Sequence, residues 1–437
     1  MKIRVIGAGL AGCEAAWQAA ECGADVDLYE MKPLRFSPAH SRDGFAELVC
    51  SNSLKAERTE SAAGLLKEEM RRLGSLLLPC ADSCRVPAGG ALAVDRDAFS
   101  SAVTAKIDSH PLICVHREEV TEIPRDGVTV IATGPLTSDA LAEKISRLCG
   151  GSLSFYDAAA PIVTAESLNM ERIFSASRYG RGDDGAYLNC PMDREEYERF
   201  YEALTAAERA PIHGFDTAGR VYEGCMPVEI MAKRGKDTLR FGPMKPVGLR
   251  DPRTGHRPWA VLQLRREDAR GAMYNLVGFQ TNLKFGEQKR VFGMIPGLEH
   301  AEYVRCGVMH RNTFLNSPLV LSHDFSLKQN PDLFFAGQIT GVEGYMESAA
   351  SGIVAGINAV RRLKGKETAV LPETTMTGSL SRYVGTGGKG PFQPMGANFG
   401  ILPPLEQPVR GKRERYAALA ARALDDLENF IPSVRQN

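Results

Sequence analysis

Six residues near the start of the chain, Gly7-Ala8-Gly9-Leu10-Ala11-Gly12, have the spacing of a phosphate cradle, and Glu30 follows eighteen positions after the last of them. In a G-x-G-x-x-G turn the first glycine permits the tight bend and the second lets a pyrophosphate approach the backbone. The third lets the following helix pack closely on its strand. The helix start offers unpaired N–H groups and a partial positive charge to phosphate oxygens, and a carboxylate at Glu30 can accept hydrogen bonds from ribose hydroxyls. The chemistry on offer here is dinucleotide binding. Sulfur offers a second kind. Of ten cysteines, Cys50 lies in ELVCSNSLKA (47–56) and Cys225 in VYEGCMPVEIMA (221–232), both among polar or turn-forming neighbours. A lone cysteine is most often a small core residue, whereas these surroundings suit a reactive thiol. Ser51, Asn52 and Ser53 are helix-capping types, and a thiol at such a helix start carries more thiolate. Gly224 and Pro227 bracket Cys225 in a turn, with Glu223 and Glu229 close by. Two thiols can also form a redox pair. Cys80 and Cys84 (CADSC) have the short spacing for that but read as a proline-flanked loop.

The elements that must position these groups are legible in outline. Lys2 to Ile6 (KIRVI) reads as a buried strand, CEAAWQAAEC as a helix stopped by Gly23, and Asp25 to Tyr29 (DVDLY) as the strand that delivers Glu30. A further buried strand, 128–133 (VTVIAT), ends at Gly134. A late strand, DLFFAG, runs into Gly337, Gln338, Gly341, Gly344 and Tyr345, and SAASGIVAGINAVRRL follows as a small-residue helix. A strand feeding a glycine-rich helix start is again a phosphate or flavin cradle. The fold class expected is therefore α/β, with a discontinuous nucleotide-binding domain: a first part at 1–150, an inserted region at 151–330, and a completion with a C-terminal helix at 331–437. The insertion carries a charged amphipathic helix in 193–210.

At 437 residues, with 43% hydrophobic and 24% charged residues, the chain suits two or three globular domains. The formal net charge is zero, so any attraction for nucleic acid must be local. Segment 233–270 supplies it: eleven Lys/Arg face four Asp/Glu, with Trp259 among them. That pattern is either a solvated charged loop or a surface that holds phosphates and stacks a base. No apolar run approaches a membrane span. The cysteines form no C-x-x-C pair, and no Asp/Glu/His spacing suggests a metal. With no export signal, reduced thiols and a cytoplasmic location are expected.

Several blocks together resemble one family: VIGAGLAGCEAAWQAAECGADVDLYEMKP, ELVCSNSLKAE, YEGCMPVEIMAKRG, LFFAGQITGVEGYMESAASG and GANFGILPPL. They are similar to the folate- and FAD-dependent tRNA uracil-5-methyltransferases, over essentially the whole chain and in order. A related flavoprotein family that modifies the wobble uridine of tRNA shares the glycine motifs, and the cysteine blocks argue against it. The resemblance implies a Rossmann-like FAD-binding domain of glutathione-reductase type with an inserted α+β region. It implies FAD held by Gly7, Ala8, Gly9, Leu10, Ala11, Gly12, Glu30, Gly337, Gln338, Gly341, Gly344 and Tyr345. It further implies 5,10-methylenetetrahydrofolate as carbon donor, NAD(P)H as the source of flavin electrons, and a T-loop uridine of tRNA as acceptor.

Uracil C5 is a poor nucleophile until a thiolate adds at C6, and the C5 proton must afterwards leave to a base. The resemblance carries both roles onto Cys50 and Cys225. We assign Cys225 to C6 addition and Cys50 to the base or one-carbon partner; the residues alone leave the reverse order open. His40 and His310 lie in polar stretches where either could touch flavin or folate, or simply be satisfied locally. Three rivals remain at the level of sequence: the same chemistry on ribosomal RNA, an FAD-dependent NAD(P)H oxidoreductase acting on a small molecule, and a noncatalytic flavin-containing RNA-binding protein.

Overall fold

The computed structural model of the chain describes residues 2–180, 187–210, 226–307, 309–388 and 392–435; at 152–158 and 309–311 the description is of the backbone. Cys225 lies outside the described residues. The KIRVI strand sits inside a six-stranded sheet of order Ser326–Leu327, Asn330–Phe335, Val128–Ile131, Lys2–Ile6, Asp25–Tyr29, Ile113–His116. Every pair is parallel except the outermost, Ser326–Leu327 on Asn330–Phe335. Strands covered on both faces need near-continuous apolar residues, and Val128–Ile131 is buried at every position. The late strand joins the early ones in register, Leu333 opposite Thr129 and Phe335 opposite Ile131. The nucleotide-binding sheet is thus assembled from both ends of the chain.

Helix Leu10–Glu21 ends where expected: Gly23 takes φ +80° and its amide reaches the Ala20 carbonyl at 2.8 Å. Helix Tyr345–Leu363 crosses it at very close range. A Cβ at Gly352 would stand 2.1 Å from the Ala11 carbonyl oxygen, and one at Gly356 2.6 Å from that of Ala15. The small-residue run is what lets the two backbones meet. This helix begins at Tyr345, three residues earlier than its small-residue run suggests, after a single turn of 3-10 helix at Gln338–Thr340.

Two buried carboxylates tie further helices to this core. Glu14 accepts from the Leu76 and Leu77 amides at 3.0 and 3.1 Å and from the Ser75 hydroxyl, at the start of helix Leu77–Ser83. Glu69 accepts from the Met376 and Thr377 amides at 2.7 and 2.8 Å, at the start of helix Met376–Thr386. Each supplies negative charge to unpaired helix N–H groups. Burial pushes both carboxyls up to about 7 against the pull of these donors.

The inserted region has its own core, built from residues between Val163 and Leu298. Its sheet runs Phe174–Ser175, Tyr187–Met192, Ala260–Arg266, Met273–Leu276, Ile162–Thr164, Tyr303–Arg305, antiparallel throughout. The charged amphipathic helix is Arg194–Ala206; Asp193 and Glu196 form a reciprocal capping box at its start. Tyr197, Phe200 and Leu204 turn one face inward, with Phe200 near Phe279. An antiparallel ribbon, Ser152–Ala158 on Met309–Leu315, carries the chain out of the nucleotide unit and back. The C-terminal helix spans Lys412–Arg435.

Candidate active site

At the carboxyl ends of strands Lys2–Ile6, Asp25–Tyr29, Val128–Ile131 and Asn330–Phe335, where open α/β sheets bind ligands, a cleft opens. Gly7, Ala8, Gly9, Leu10, Ala11, Glu30, Gly337, Gln338 and Tyr345 line it, and so does His40. The glycines divide the labour of the turn as a bound pyrophosphate would require. Gly7 takes φ +97°, and a Cβ there would fall 2.7 Å from the Ala132 carbonyl oxygen. A Cβ at Gly12 would stand 1.7 Å from the Gly7 oxygen. At Gly9, by contrast, no atom lies within 4 Å of that position, and φ −73°, ψ −170° suits any residue. Only the ligand side of the turn needs Gly9 bare, so the residues present fit a dinucleotide such as FAD. Glu30, buried, accepts from the Ala8 amide at 2.9 Å and the Lys32 amide at 3.0 Å. It fixes the turn as well as facing the cleft.

Gly12, Gly341 and Gly344 do not line the cleft. Gly341 takes φ +84° against the Phe392 ring, and Gly344 takes φ +121° beside Glu347, which pairs with Lys55 at 2.8 Å. They shape the backbone that presents Gln338 and Tyr345.

Cys50 is joined to the cleft through Tyr345. The Tyr345 hydroxyl accepts from the Cys50 amide at 2.7 Å and the Ser51 amide at 3.1 Å. Burial first, then the Cys50 charge, raise its pKa well above the ordinary tyrosine value, so the phenol keeps a hydrogen to donate. Two arginines grip the other side of the loop. Arg96 donates to the Leu48 and Cys50 carbonyls at 2.8 and 3.2 Å, and Arg305 to those of Val49 and Cys50 at 2.9 and 3.2 Å. Burial works against the Arg96 charge, but the Glu267 carboxylate at 2.6 Å outweighs it and the pKa rises. Burial and the neighbouring Arg96 charge push Arg305 down. Arg265 completes the clamp on Asn52 and Ser51 at 2.9 and 2.7 Å. Arg265, Glu267 and Arg305 all come from the inserted region, so the Cys50 loop sits at the seam between the two units. Arg305 Nε and Glu267 Oε1 are buried there without a hydrogen-bond partner among the described residues, a polar point that a substrate group or water would satisfy.

The expectation that Ser51, Asn52 and Ser53 start a helix is not met. They lead into strand Ser53–Ala56, and their side chains serve loop contacts instead. Ser and Asn favour both settings because their short side chains bond nearby backbone in either. Cys80 is also placed differently: it is buried in helix Leu77–Ser83, its thiol pushed up to about 11 by burial, with Cys84 as the C-cap. It packs rather than reacts. Trp259 is covered by the Arg240 guanidinium at 3.6 Å from the ring centre, which leaves it poorly placed to stack a base. Arg253 folds back on Asp251 at 2.7 Å. His40 meets Ser37 Oγ at 2.5 Å, and the His310 side chain lies outside the described residues.

The sequence suggested no metal ligands, yet pairing of strands Asp25–Tyr29 and Ile113–His116 gathers Asp27, Cys114 and His116 with ligand atoms within 4.8 Å of one another. The Lys2 ammonium, 2.8 Å from Asp27, is the cation at that spot. No described helix is long and apolar enough to cross a membrane.

Comparison with known proteins extends this geometry. The family model "GIDA: Glucose inhibited division protein A" matches residues 2–367. The methylenetetrahydrofolate–tRNA-(uracil-5-)-methyltransferase TrmFO of Desulfitobacterium hafniense is 61% identical over 429 residues, covering 98% of each chain. Its namesake from Geobacter sulfurreducens is 59% identical over 432 residues, covering 99% of each. Among solved structures, Aquifex aeolicus GidA superposes with TM-score 0.71 at 16% identity, covering 100% of this chain and 74% of that one. At that identity the last likeness speaks to the fold alone, which is the α/β nucleotide-binding fold expected. A cradle built from both chain ends and a likeness that runs the full length converge: the chain belongs to the GIDA family, among the methylenetetrahydrofolate–tRNA-(uracil-5-)-methyltransferases.

Proposed function

We propose that this protein methylates C5 of a uridine in the T-loop of tRNA, taking the carbon from 5,10-methylenetetrahydrofolate and the electrons from FAD. The observation that carries the reading is the Cys50 loop: Tyr345 lines the dinucleotide cleft and holds the Cys50 backbone by one hydroxyl, which supports a role for Cys50 next to the nucleotide site. The relatives' names specify tRNA and a folate donor, which favours tRNA over ribosomal RNA and over a small-molecule oxidoreductase.

FAD, held by the Gly7–Gly12 turn, Glu30 and the Gly337–Gln338 segment, supplies the two electrons that separate a methylene from a methyl group. NAD(P)H is the proposed source of those electrons. The side chains handle the pyrimidine. Thiolate addition at C6 pushes electron density onto C5, which then bonds to the one-carbon unit. Removal of the C5 proton and departure of the thiolate restore the double bond. We assign addition to Cys225 and proton removal to Cys50, whose loop Arg96 and Arg305 hold by its backbone carbonyls. Substrate, cofactors and reduced thiols together suit a cytoplasmic enzyme.

The test incubates the FAD-loaded protein with unmodified tRNA transcript, 5,10-methylenetetrahydrofolate and NADH or NADPH, and measures 5-methyluridine by nucleoside mass spectrometry. Cys50→Ser and Cys225→Ser should each abolish product while retaining FAD. A 5-fluorouridine tRNA should leave a covalent adduct on the Cys225 peptide; an adduct at Cys50 would exchange the roles. No 5-methyluridine from the unaltered protein, or full product from both serine variants, refutes the reading.

A further inference from the structure

Phe241 is the most exposed large apolar side chain among the described residues, at 84%. It ends the short helix Thr238–Phe241 and lines a shallow hollow with Met226, Met231, Arg234, Lys236 and Thr238. Lys233, Arg234 and Lys245 are exposed nearby in the chain, while Lys236 is paired with Glu198 at 3.1 Å and Asp237 with Arg240 at 2.6 Å. A bare phenyl ring costs free energy in water. Set in a field of cations, it has the composition of a nucleotide platform: the ring stacks a base while the ammonium and guanidinium groups hold flanking phosphates.

From this arrangement we propose that Phe241 stacks an unpaired base of the RNA substrate, with the surrounding Lys and Arg residues holding its backbone. The inference rests on the tRNA reading above and deepens it. It also reassigns the stacking role within the basic segment. Trp259, the aromatic that the sequence singled out, is covered by Arg240, whereas Phe241 presents its ring to solvent. The hollow reaches Met226, which follows the assigned nucleophile Cys225 in the sequence.

The experiment uses the full-length FAD-loaded protein and unmodified tRNA transcript. Phe241→Ala should raise both the tRNA Kd and the KM about tenfold, since one lost base–aromatic stack is worth roughly that factor or more. The kcat at saturating tRNA and the flavin content should hold. Phe241→Trp should restore binding, because a larger ring stacks at least as well. Stacking and phosphate contacts separate by salt: Phe241→Ala should leave the slope of log Kd against log salt unchanged, whereas Lys245→Ala should flatten it by about one. A Kd and KM equal to those of the unaltered protein in Phe241→Ala overturns the proposal while leaving the methyltransferase reading intact. A wild-type protein that binds no tRNA and forms no 5-methyluridine overturns both.

Discussion

Gly9→Ala and Gly12→Ala differ by one methyl group each, three residues apart, and the structure assigns them opposite outcomes. At Gly9 the added methyl meets no protein atom within 4 Å and the backbone lies in an ordinary extended region. The flavin-free protein should therefore fold as before. It should gain up to about 1 kcal/mol from the narrower unfolded ensemble. That same methyl fills the side of the turn that a pyrophosphate must approach. Losing the approach forfeits hydrogen bonds from backbone N–H to charged phosphate, worth roughly 1.5–3 kcal/mol each. Two such bonds amount to on the order of a hundredfold in FAD affinity or more. At Gly12 the methyl would lie 1.7 Å from the Gly7 oxygen, so helix and strand must part and the fold itself should lose about 1–3 kcal/mol or more. Thermal unfolding of flavin-free protein, paired with fluorescence titration of FAD, separates the cases. Gly9→Ala binding FAD as tightly as the unaltered chain would refute the placement of the dinucleotide in this turn.

Two further perturbations probe the surroundings. Arg305→Met removes the donors to the Val49 and Cys50 carbonyls; turnover should fall roughly tenfold or more while FAD stays bound, because about 1.4 kcal/mol of lost loop positioning is one decade in rate. Retained kcat in steady-state methylation would remove Arg305 from the site. Glu14 titrates near about 7 when folded against 4.5 ordinarily, so between those values the folded chain holds the extra proton and stability should decline as pH climbs through that window. Glu14→Gln should flatten that decline in urea midpoints measured across pH 4.5 to 7; an unchanged slope would assign it to other groups.

The nucleotide turn was readable because its parts are contiguous: strand, glycines, helix and acid occur within the first thirty residues, where sequence order is also spatial order. The late glycine block was readable for the same reason, its small residues foretelling the approach that Gly352 and Gly356 allow. The clamp on Cys50 was not. Arg305 meets the Cys50 carbonyl across 255 positions and Arg96 meets Glu267 across 171, and an arginine bound for a buried carbonyl looks in sequence like any surface arginine. Trp259 and Phe241 show the same limit: both stand in a basic stretch, and only packing decides that one ring is covered and the other bare.

The strand Asn330–Phe335 lies beside Val128–Ile131, and helix Tyr345–Leu363 seals the Gly-rich turn. A nascent polypeptide emerges from its amino end, so a ribosome that has made only the first three hundred residues has produced half a receptacle. Until synthesis has passed Leu363, the sheet lacks its late strand and the turn lacks the helix packed against it.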